Sequence, residues 1–239
     1  MVYLGSLESL YACKDAAGIA GNFFAFGLFL SPVPTFRRII RNESTEQFSG
    51  LPYIYALLNC LITAWYGLPM ISSDNILVTT VNSSGALFQI VYVAIFIKYA
   101  EKTKKWKMVG LLMSVIIVFA IIALGSLLIA DFEVRHLTVG FLSCASLISM
   151  FASPLFIINL VIRTRSVEFM PFHLSLCTFL LSTSFLLYGI FNFDPFVYVP
   201  NGIGAVLGVI QLFLFSYYQK SSRDDSTEPL IVSYSCTDA

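Results

Sequence analysis

Charged side chains are scarce in this sequence. Lysine, arginine, aspartate and glutamate make up 12% of its 239 residues, whereas hydrophobic residues make up 57% and the mean hydropathy is +0.82. An ordinary soluble domain carries about 25% charged residues. The composition therefore excludes such a domain and indicates a polytopic membrane protein.

Paired cysteines, clustered histidines and basic blocks are also missing. The five cysteines have no paired spacing, so we expect neither a disulfide nor a metal site. His136 and His173 have no partner pattern, and no Ser, His and Asp arrangement suggests a triad. No basic block is interleaved with aromatic residues, as nucleic-acid binding would require. The sequence thus predicts no enzyme, no cofactor and no nucleic-acid partner.

Seven apolar runs come close to the roughly 20 residues that a membrane-spanning helix needs. They predict an all-α fold with transmembrane helices at about residues 14–36, 51–71, 76–99, 107–130, 137–162, 171–193 and 196–218. Twelve of the fourteen basic residues follow the first, third, fifth and seventh helices. Because basic loops stay on the cytosolic side, we expect a cytosolic C-terminus and a lumenal or extracellular N-terminus.

The apolar sequence contains a duplicated set of landmarks. Two stretches that lie 119 residues apart each carry a proline, an asparagine thirty residues later and then Gly-Ala. The landmarks are Pro52, Asn82, Gly85 and Ala86 in the first stretch, and Pro171, Asn201, Gly204 and Ala205 in the second. They predict two three-helix repeats, 14–99 and 137–218, joined by a linker helix at 107–130 that makes the repeats parallel. Residues 219–239 are polar and predict a disordered cytosolic tail.

The two matched asparagines are the first candidate site residues. Asn82 and Asn201 each lie about six residues inside a helix, roughly 9 Å deep at 1.5 Å per residue. An amide offers one acceptor and two donors, which suits a neutral polyol. The alternative is that each amide joins neighbouring helices by a hydrogen bond.

Prolines and tyrosines mark the two ends of the predicted bundle. Pro32, Pro52, Pro154 and Pro171 fall near cytosolic helix ends and could form a ring of hinges, although proline is also harmless in a first helical turn. At the opposite mouth, a hydroxyl of Tyr66 or Tyr188 bonded to the Asp194 carboxylate would make a closable latch. An interfacial aromatic belt is the alternative for these residues.

Charge at mid-depth is absent from all seven predicted helices. Transport coupled to protons or sodium usually uses intramembrane carboxylates or a comparable relay. We therefore expect facilitated diffusion by a uniporter of an uncharged substrate. The same absence argues against a retinal protein, since the last helix has no lysine for a Schiff base.

Several short segments resemble plant SWEET sugar transporters of the MtN3/saliva type, and the resemblance covers residues 16–218. The segments are SPVPTF (31–36), NESTEQFSGLP (42–52), AWYG (64–67), NILVTTV (75–81), SPL (153–155), SVEFMP (166–171) and DPFVYVPNG (194–202). The resemblance implies a bidirectional uniporter of mono- or disaccharides that works by alternating access in a lipid membrane. It also implies homo-oligomers, often trimers.

The same resemblance assigns roles to individual positions. Asn82 and Asn201 would bind sugar, and Thr63 and Phe185 would tune the sugar size that the pocket accepts. The four matched prolines, Pro32, Pro52, Pro154 and Pro171, would form the cytosolic hinge set. Tyr66 with Asp194 would form the extrafacial gate.

Substrate and membrane stay open at this point. A hexose such as glucose is favoured over sucrose, with a sucrose-preferring member of the family as the alternative. A seven-helix receptor is disfavoured because the Asp-Arg-Tyr and Asn-Pro-x-x-Tyr signatures are missing, and a PQ-loop relative because no hinge proline is followed by glutamine. The tail segment DDSTEPLI (224–231) approaches an acidic dileucine signal, which favours the vacuolar membrane over the plasma membrane.

Overall fold

The computed structural model describes residues 2–168 and 170–227, and every helix or strand in these ranges is an α-helix. The helices are α1 (Val2–Leu30), α2 (Val33–Arg41), α3 (Leu51–Tyr66), α4 (Ile76–Tyr99), α5 (Lys102–Leu127), α6 (Phe132–Met150), α7 (Ala152–Thr164), α8 (Phe172–Phe191) and α9 (Pro195–Thr227).

These helices form seven spans, which confirms the predicted all-α fold. Six stretches are long and apolar enough to cross a membrane by length and composition, and two of them combine helices: Glu8–Arg41 contains most of α1 and all of α2, and Phe132–Thr164 contains α6 and α7. The 16-residue α3 is apolar but shorter, and it supplies the seventh span.

The first and fifth spans are broken beside a proline. α1 ends before Ser31, whose N–H and hydroxyl both donate to Leu28 O, at 3.3 and 2.8 Å. Pro32 has no N–H with which to continue the hydrogen bonds of α1, so a separate helix, α2, begins at the next residue. The fifth span breaks at Phe151, and Pro154 follows in the first turn of α7, where its missing N–H costs little.

Two predicted boundaries are wrong. The second span ends at Tyr66 rather than at residue 71, since Gly67 carries the chain close against the start of α4. A Cβ at Gly67 would lie 2.6 Å from Thr79 Oγ1 and 2.9 Å from Asn75 O, so a side chain does not fit there. The tail predicted from residue 219 remains helical to Thr227, because no glycine or proline interrupts residues 209–228. Residues 228–239 of that tail, which include Leu230 and Ile231 of the dileucine-like segment, lie outside the described ranges.

The packing of the helices repeats in the two halves. α1 contacts α8 as α6 contacts α3, α1 contacts α4 as α6 contacts α9, α3 contacts α4 as α8 contacts α9, and α2 contacts α4 as α7 contacts α9. α5 lies against α3, α4 and α6. The backbone repeats too, because left-handed φ values recur at positions 119 residues apart. Glu46 (φ 45°) corresponds to Arg165 (φ 51°), and Asp74 (φ 58°) corresponds to Phe193 (φ 54°).

The two ends of the bundle differ in composition. We call the end that holds Pro32, Pro52, Pro154 and Pro171 the proline end, and the end that holds Tyr66, Tyr188 and Asp194 the tyrosine end. One buried apolar cluster lies in the first half and includes Phe36, Tyr92 and Phe96. The other cluster joins both halves near the tyrosine end and includes Tyr66, Phe185 and Tyr188.

The loop between α2 and α3 is held by one acidic side chain. The Glu46 carboxylate accepts from Arg38, at 3.0 and 2.6 Å, and from Asn42 Nδ2 at 2.6 Å. The Arg38 hydrogen bond, followed by that of Asn42, lowers the pKa of Glu46. Lys104 Nζ donates to Glu46 O at 2.7 Å, so α5 is fixed to the same loop at the proline end.

Candidate functional site

A buried carboxylate organises the tyrosine end. Asp194 precedes α9, and its Oδ1 accepts from Phe196 N at 2.9 Å, which places negative charge at the helix N-terminus. Its Oδ2 accepts from Tyr66 Oη at 2.6 Å and from Asn75 Nδ2 at 2.5 Å. Since Tyr66 and Asn75 belong to the first half and Asp194 belongs to the second, these hydrogen bonds join the two halves at the tyrosine end.

His136 completes this network from α6. Its Nε2 lies 3.0 Å from Tyr66 Oη. A tyrosine hydroxyl has a single proton, and Tyr66 donates that proton to Asp194, so the imidazole must donate to Tyr66. His136 therefore carries a proton on Nε2. The sequence pattern gave this histidine no partner, because its partner lies 70 residues away in the chain.

Two further hydrogen bonds cross between the halves. Tyr188 Oη donates to Asp74 O at 2.6 Å, and Asn192 Nδ2 donates to Asn75 Oδ1 at 2.9 Å. Sequence reasoning missed Asn75, although the 119-residue offset of the two stretches relates it to Asp194. The two matched residues thus bond each other where the halves meet, as expected at a pseudo-two-fold axis.

The two candidate amides occupy the same position in their helices. Asn82 is the seventh residue of α4 and Asn201 is the seventh residue of α9. Asn82 Nδ2 donates to Val78 O at 2.9 Å and Asn201 Nδ2 donates to Val197 O at 2.8 Å, so each amide bonds only its own helix. Within the described residues, neither amide joins two helices. The amide oxygen and one N–H of each half-buried side chain remain available to a ligand.

The Gly-Ala pair after each asparagine is a packing requirement. A Cβ at Gly85 would lie 2.9 Å from the Phe29 ring, and a Cβ at Gly204 would lie 3.1 Å from the Phe151 ring. Phe29 lies three residues before Pro32, and Phe151 lies three residues before Pro154. Each broken span therefore contacts the helix that carries the matched amide, one turn beyond that amide.

Thr63 and Phe185 lie one helical turn before Tyr66 and Tyr188. Ser143 Oγ on α6 donates to Thr63 Oγ1 at 3.2 Å, and both side chains are buried. Phe185 is buried against Gly21 of α1 and meets the Tyr188 ring edge-on at 5.9 Å. The sequence pattern did not identify Ser143, which is one of several serines on an apolar helix.

The four prolines occupy two kinds of position at the proline end. Pro32 separates α1 from α2, and Pro154 lies in the first turn of α7. Pro52 is the second residue of α3, and Pro171 precedes α8 with φ −60° and ψ 130°. Pro154 and Pro171 line a cavity of about 230 Å³ in the second half. In the described ranges, no three His, Cys, Asp or Glu residues are grouped to hold a metal ion.

Comparison with known proteins gives consistent matches. The family described as "Sugar efflux transporter for intercellular exchange" matches residues 15–104 and 137–223. The bidirectional sugar transporter SWEET2 of Arabidopsis thaliana is 66% identical over 227 residues, which cover 95% of this chain and 96% of that protein. The bidirectional sugar transporter SWEET2a of Oryza sativa subsp. japonica is 60% identical over 222 residues, covering 93% and 91%. A solved eukaryotic SWEET transporter has a TM-score of 0.87 and 52% identity, covering 88% of this chain and 99% of that one.

Proposed function

The chain belongs to the SWEET family of sugar transporters, and on this premise we propose that it carries a neutral sugar across a membrane in both directions as a uniporter. The observation that supports this most directly is the pair of amides at equal depth, Asn82 and Asn201, each with an oxygen and an N–H unused by its own helix. The proposed activity is transport, not an enzymatic reaction.

Sugar hydroxyls both donate and accept hydrogen bonds, as amides do. Two amides on opposite halves can therefore hold one sugar between them without any charge. Thr63 and Phe185 would limit the size of the bound sugar from the side of the gate tyrosines. Both side chains are buried, and we favour a monosaccharide such as glucose over sucrose.

Alternating access is supported by the difference between the two ends. The hydrogen bonds centred on Asp194 close the tyrosine end. The broken spans at Pro32 and near Pro154 provide places to bend at the proline end. We propose that Tyr66, Tyr188 and Asp194 form the extrafacial gate and that the four prolines form the hinge set.

Uniport rather than coupled transport is supported by where the charges lie. The buried Lys14 lies near the tyrosine end, with Nζ 6.0 Å from the centre of the Tyr188 ring. Asp194 is committed to the gate bonds. Neither group is positioned to carry a proton through the middle of the bundle, and a charged relay is the usual requirement for coupling.

Orientation, membrane and assembly belong to the same proposal. The basic residues near the proline end support a cytosolic position for that end, with a cytosolic C-terminus. Residues 14–99 and 137–218 are proposed as the two repeats, with 107–130 as the linker. The exposed apolar side chains of α5, such as Ile117, Ile121 and Leu124, support contact with membrane lipid. We also propose that the protein lies in the vacuolar membrane. By family resemblance, we propose that it forms a homo-oligomer, a trimer.

Counterflow in liposomes tests the proposed function. Vesicles preloaded with unlabelled glucose should accumulate radiolabelled glucose transiently, because a uniporter exchanges sugar in both directions without an energy source. Sucrose-loaded vesicles serve as the matched comparison, and stronger sucrose counterflow would assign the alternative substrate. Protein-containing vesicles that exchange no sugar at all would remove the transport proposal.

A further inference from the structure

The two halves differ at the proline end of their last helices, α4 and α9. In the first half, Tyr92 of α4 fills the space behind the Pro32 break. Its hydroxyl donates to Phe29 O at 2.6 Å, and its ring stacks on Phe36 with centroids 4.5 Å apart. Tyr53 adds a ring edge-on to Phe36 at 4.9 Å. Aromatic side chains therefore fill the space behind the Pro32 break.

The second half has no such filling. The 119-residue offset puts Gln211 of α9 at the position of Tyr92, and the 122-residue offset of the first helices puts Ile158 at the position of Phe36. A cavity of about 230 Å³ occupies this place, with room for about eight water molecules at roughly 30 Å³ each. Its lining includes Leu28 of α1 together with Pro154, Pro171, Ser175, Thr178 and Gln211.

Two of the lining side chains are buried polar groups without a partner. Ser175 is 3% exposed and Gln211 is 6% exposed, and neither side chain has a hydrogen-bond partner among the described residues. Thr178, by contrast, donates to Leu174 O at 2.9 Å within its own helix. The polar atoms of Ser175 and Gln211 are not fully enclosed by protein, so they face the cavity and can bond a ligand or water there.

The lining determines which ligand chemistry fits. None of the lining side chains is charged, so an ion would lose its hydration without compensation. A purely apolar ligand would leave Gln211 and Ser175 unsatisfied. An uncharged polyol can give hydrogen bonds to the amide oxygen and receive them from the amide N–H and the serine hydroxyl, while its ring faces contact Leu28 and the prolines.

The cavity also lies between the candidate amides and the proline end. Thr178 is one helical turn before Ser182, and Ser182 Oγ lies 2.6 Å from the position of a Cβ on Gly204. Gly204 in turn is three residues after Asn201. A sugar that leaves the amides toward the proline end therefore meets this cavity about two turns further on, roughly 11 Å at 5.4 Å per turn.

We propose that this hinge cavity is a second binding site for the transported neutral sugar, separate from the amide pair and present only in the second half. The proposal rests on the proposed function, since it takes the same substrate. Gln211 is its main hydrogen-bonding residue and Ser175 its second.

Protection of an introduced thiol tests the site directly. Leu174 lines the cavity without contributing a polar group, so Leu174→Cys places a reactive thiol there. Its modification by a maleimide is followed by tandem mass spectrometry, which separates it from Cys177. The protein also carries Asn82→Ala, so that binding at the amide pair does not contribute. The probe is glucose, with betaine at equal osmolality as the control solute.

We expect glucose at ten times its dissociation constant to slow the modification by about tenfold. Gln211→Leu should raise the glucose concentration needed for half-protection by about fivefold, the usual effect of one neutral hydrogen bond. Gln89→Leu is the matched control, because Gln89 is buried in the first half and does not line the cavity. Ser175→Ala repeats the test with a smaller change of shape.

Several outcomes would overturn the second site. The first is the absence of glucose protection, which would mean that the cavity holds water only. The second is equal protection in Gln211→Leu, Ser175→Ala and Gln89→Leu. The proposed function fails on a separate result, namely the absence of sugar counterflow by the unmodified protein. A protein that transports glucose but shows no protection therefore loses the second site and keeps its function.

Discussion

Removing one hydroxyl from the tyrosine end should open the gate measurably. Tyr66→Phe deletes the 2.6 Å bond to Asp194 and the 3.0 Å bond from His136 while keeping the ring. A hydrogen bond to a charged group contributes about 1.5 to 3 kcal/mol net. Asn75 still donates to the carboxylate, so Asp194 Oδ2 keeps one hydrogen-bond donor in this variant. We therefore expect the closed state to lose about 2 to 3 kcal/mol relative to the open state.

That free energy corresponds to a shift of roughly 30- to 150-fold in the ratio of closed to open molecules. Tyr188→Phe is the matched control, because it deletes one 2.6 Å bond to a backbone carbonyl. A neutral bond contributes about 1 kcal/mol, or about fivefold. The two tyrosine variants should thus differ in size of effect although each removes a single oxygen atom.

Spin-label distances across the tyrosine end provide the assay. Ser73 and Phe193 are exposed loop residues on opposite halves, and each can be replaced by cysteine and labelled after Cys13→Ser removes an exposed native thiol. In liposomes without sugar, Tyr66→Phe should move population from the short to the long distance more than Tyr188→Phe does. An unchanged distance distribution in Tyr66→Phe, or a larger change in Tyr188→Phe, would refute the latch.

Three further predictions concern packing, coupling and sorting. Gly85→Ala should destabilise the protein by about 1 to 3 kcal/mol in thermal unfolding, since the added Cβ meets the Phe29 ring. Gly110→Ala is the control and should not destabilise the protein, because its Cβ meets nothing within 4 Å. Equal melting temperatures of the two variants would refute the contact. Glucose uptake should be unaffected by a protonophore, and acceleration by an imposed proton gradient would contradict uniport. Removing residues 230–231 should move a tagged protein from the vacuolar to the plasma membrane, and unchanged targeting would discard the sorting signal.

The helices could be predicted because hydrophobicity and length decide them. α4 was predicted with its observed bounds, since Asn75 precedes it and a basic loop follows. The ends of other helices depend on tertiary contacts that a hydropathy pattern does not contain. The close approach of Gly67 to Asn75 ends α3 early, and the breaks at Ser31 and Phe151 divide two predicted spans into pairs of helices.

The duplication and the family resemblance marked the candidate site residues, whose roles stay predictions. The contact of Tyr66 with Asp194 was expected, and it is present at 2.6 Å. His136 and Ser143 were not identified, because their partners are distant in the chain and each residue type is common in helices. The cavity beside Pro154 and Pro171 is a difference between the two halves, which a search for matching landmarks overlooks.

Glucose counterflow by single variants tests the proposal that Asn82 and Asn201 together hold an uncharged sugar. Asn82→Ala and Asn201→Ala should each lose most of the counterflow at unchanged protein content in the liposomes. Ser83→Ala, which changes an exposed neighbour of Asn82, should retain the rate of the unmodified protein. Unmodified rates in either asparagine variant would contradict the claim.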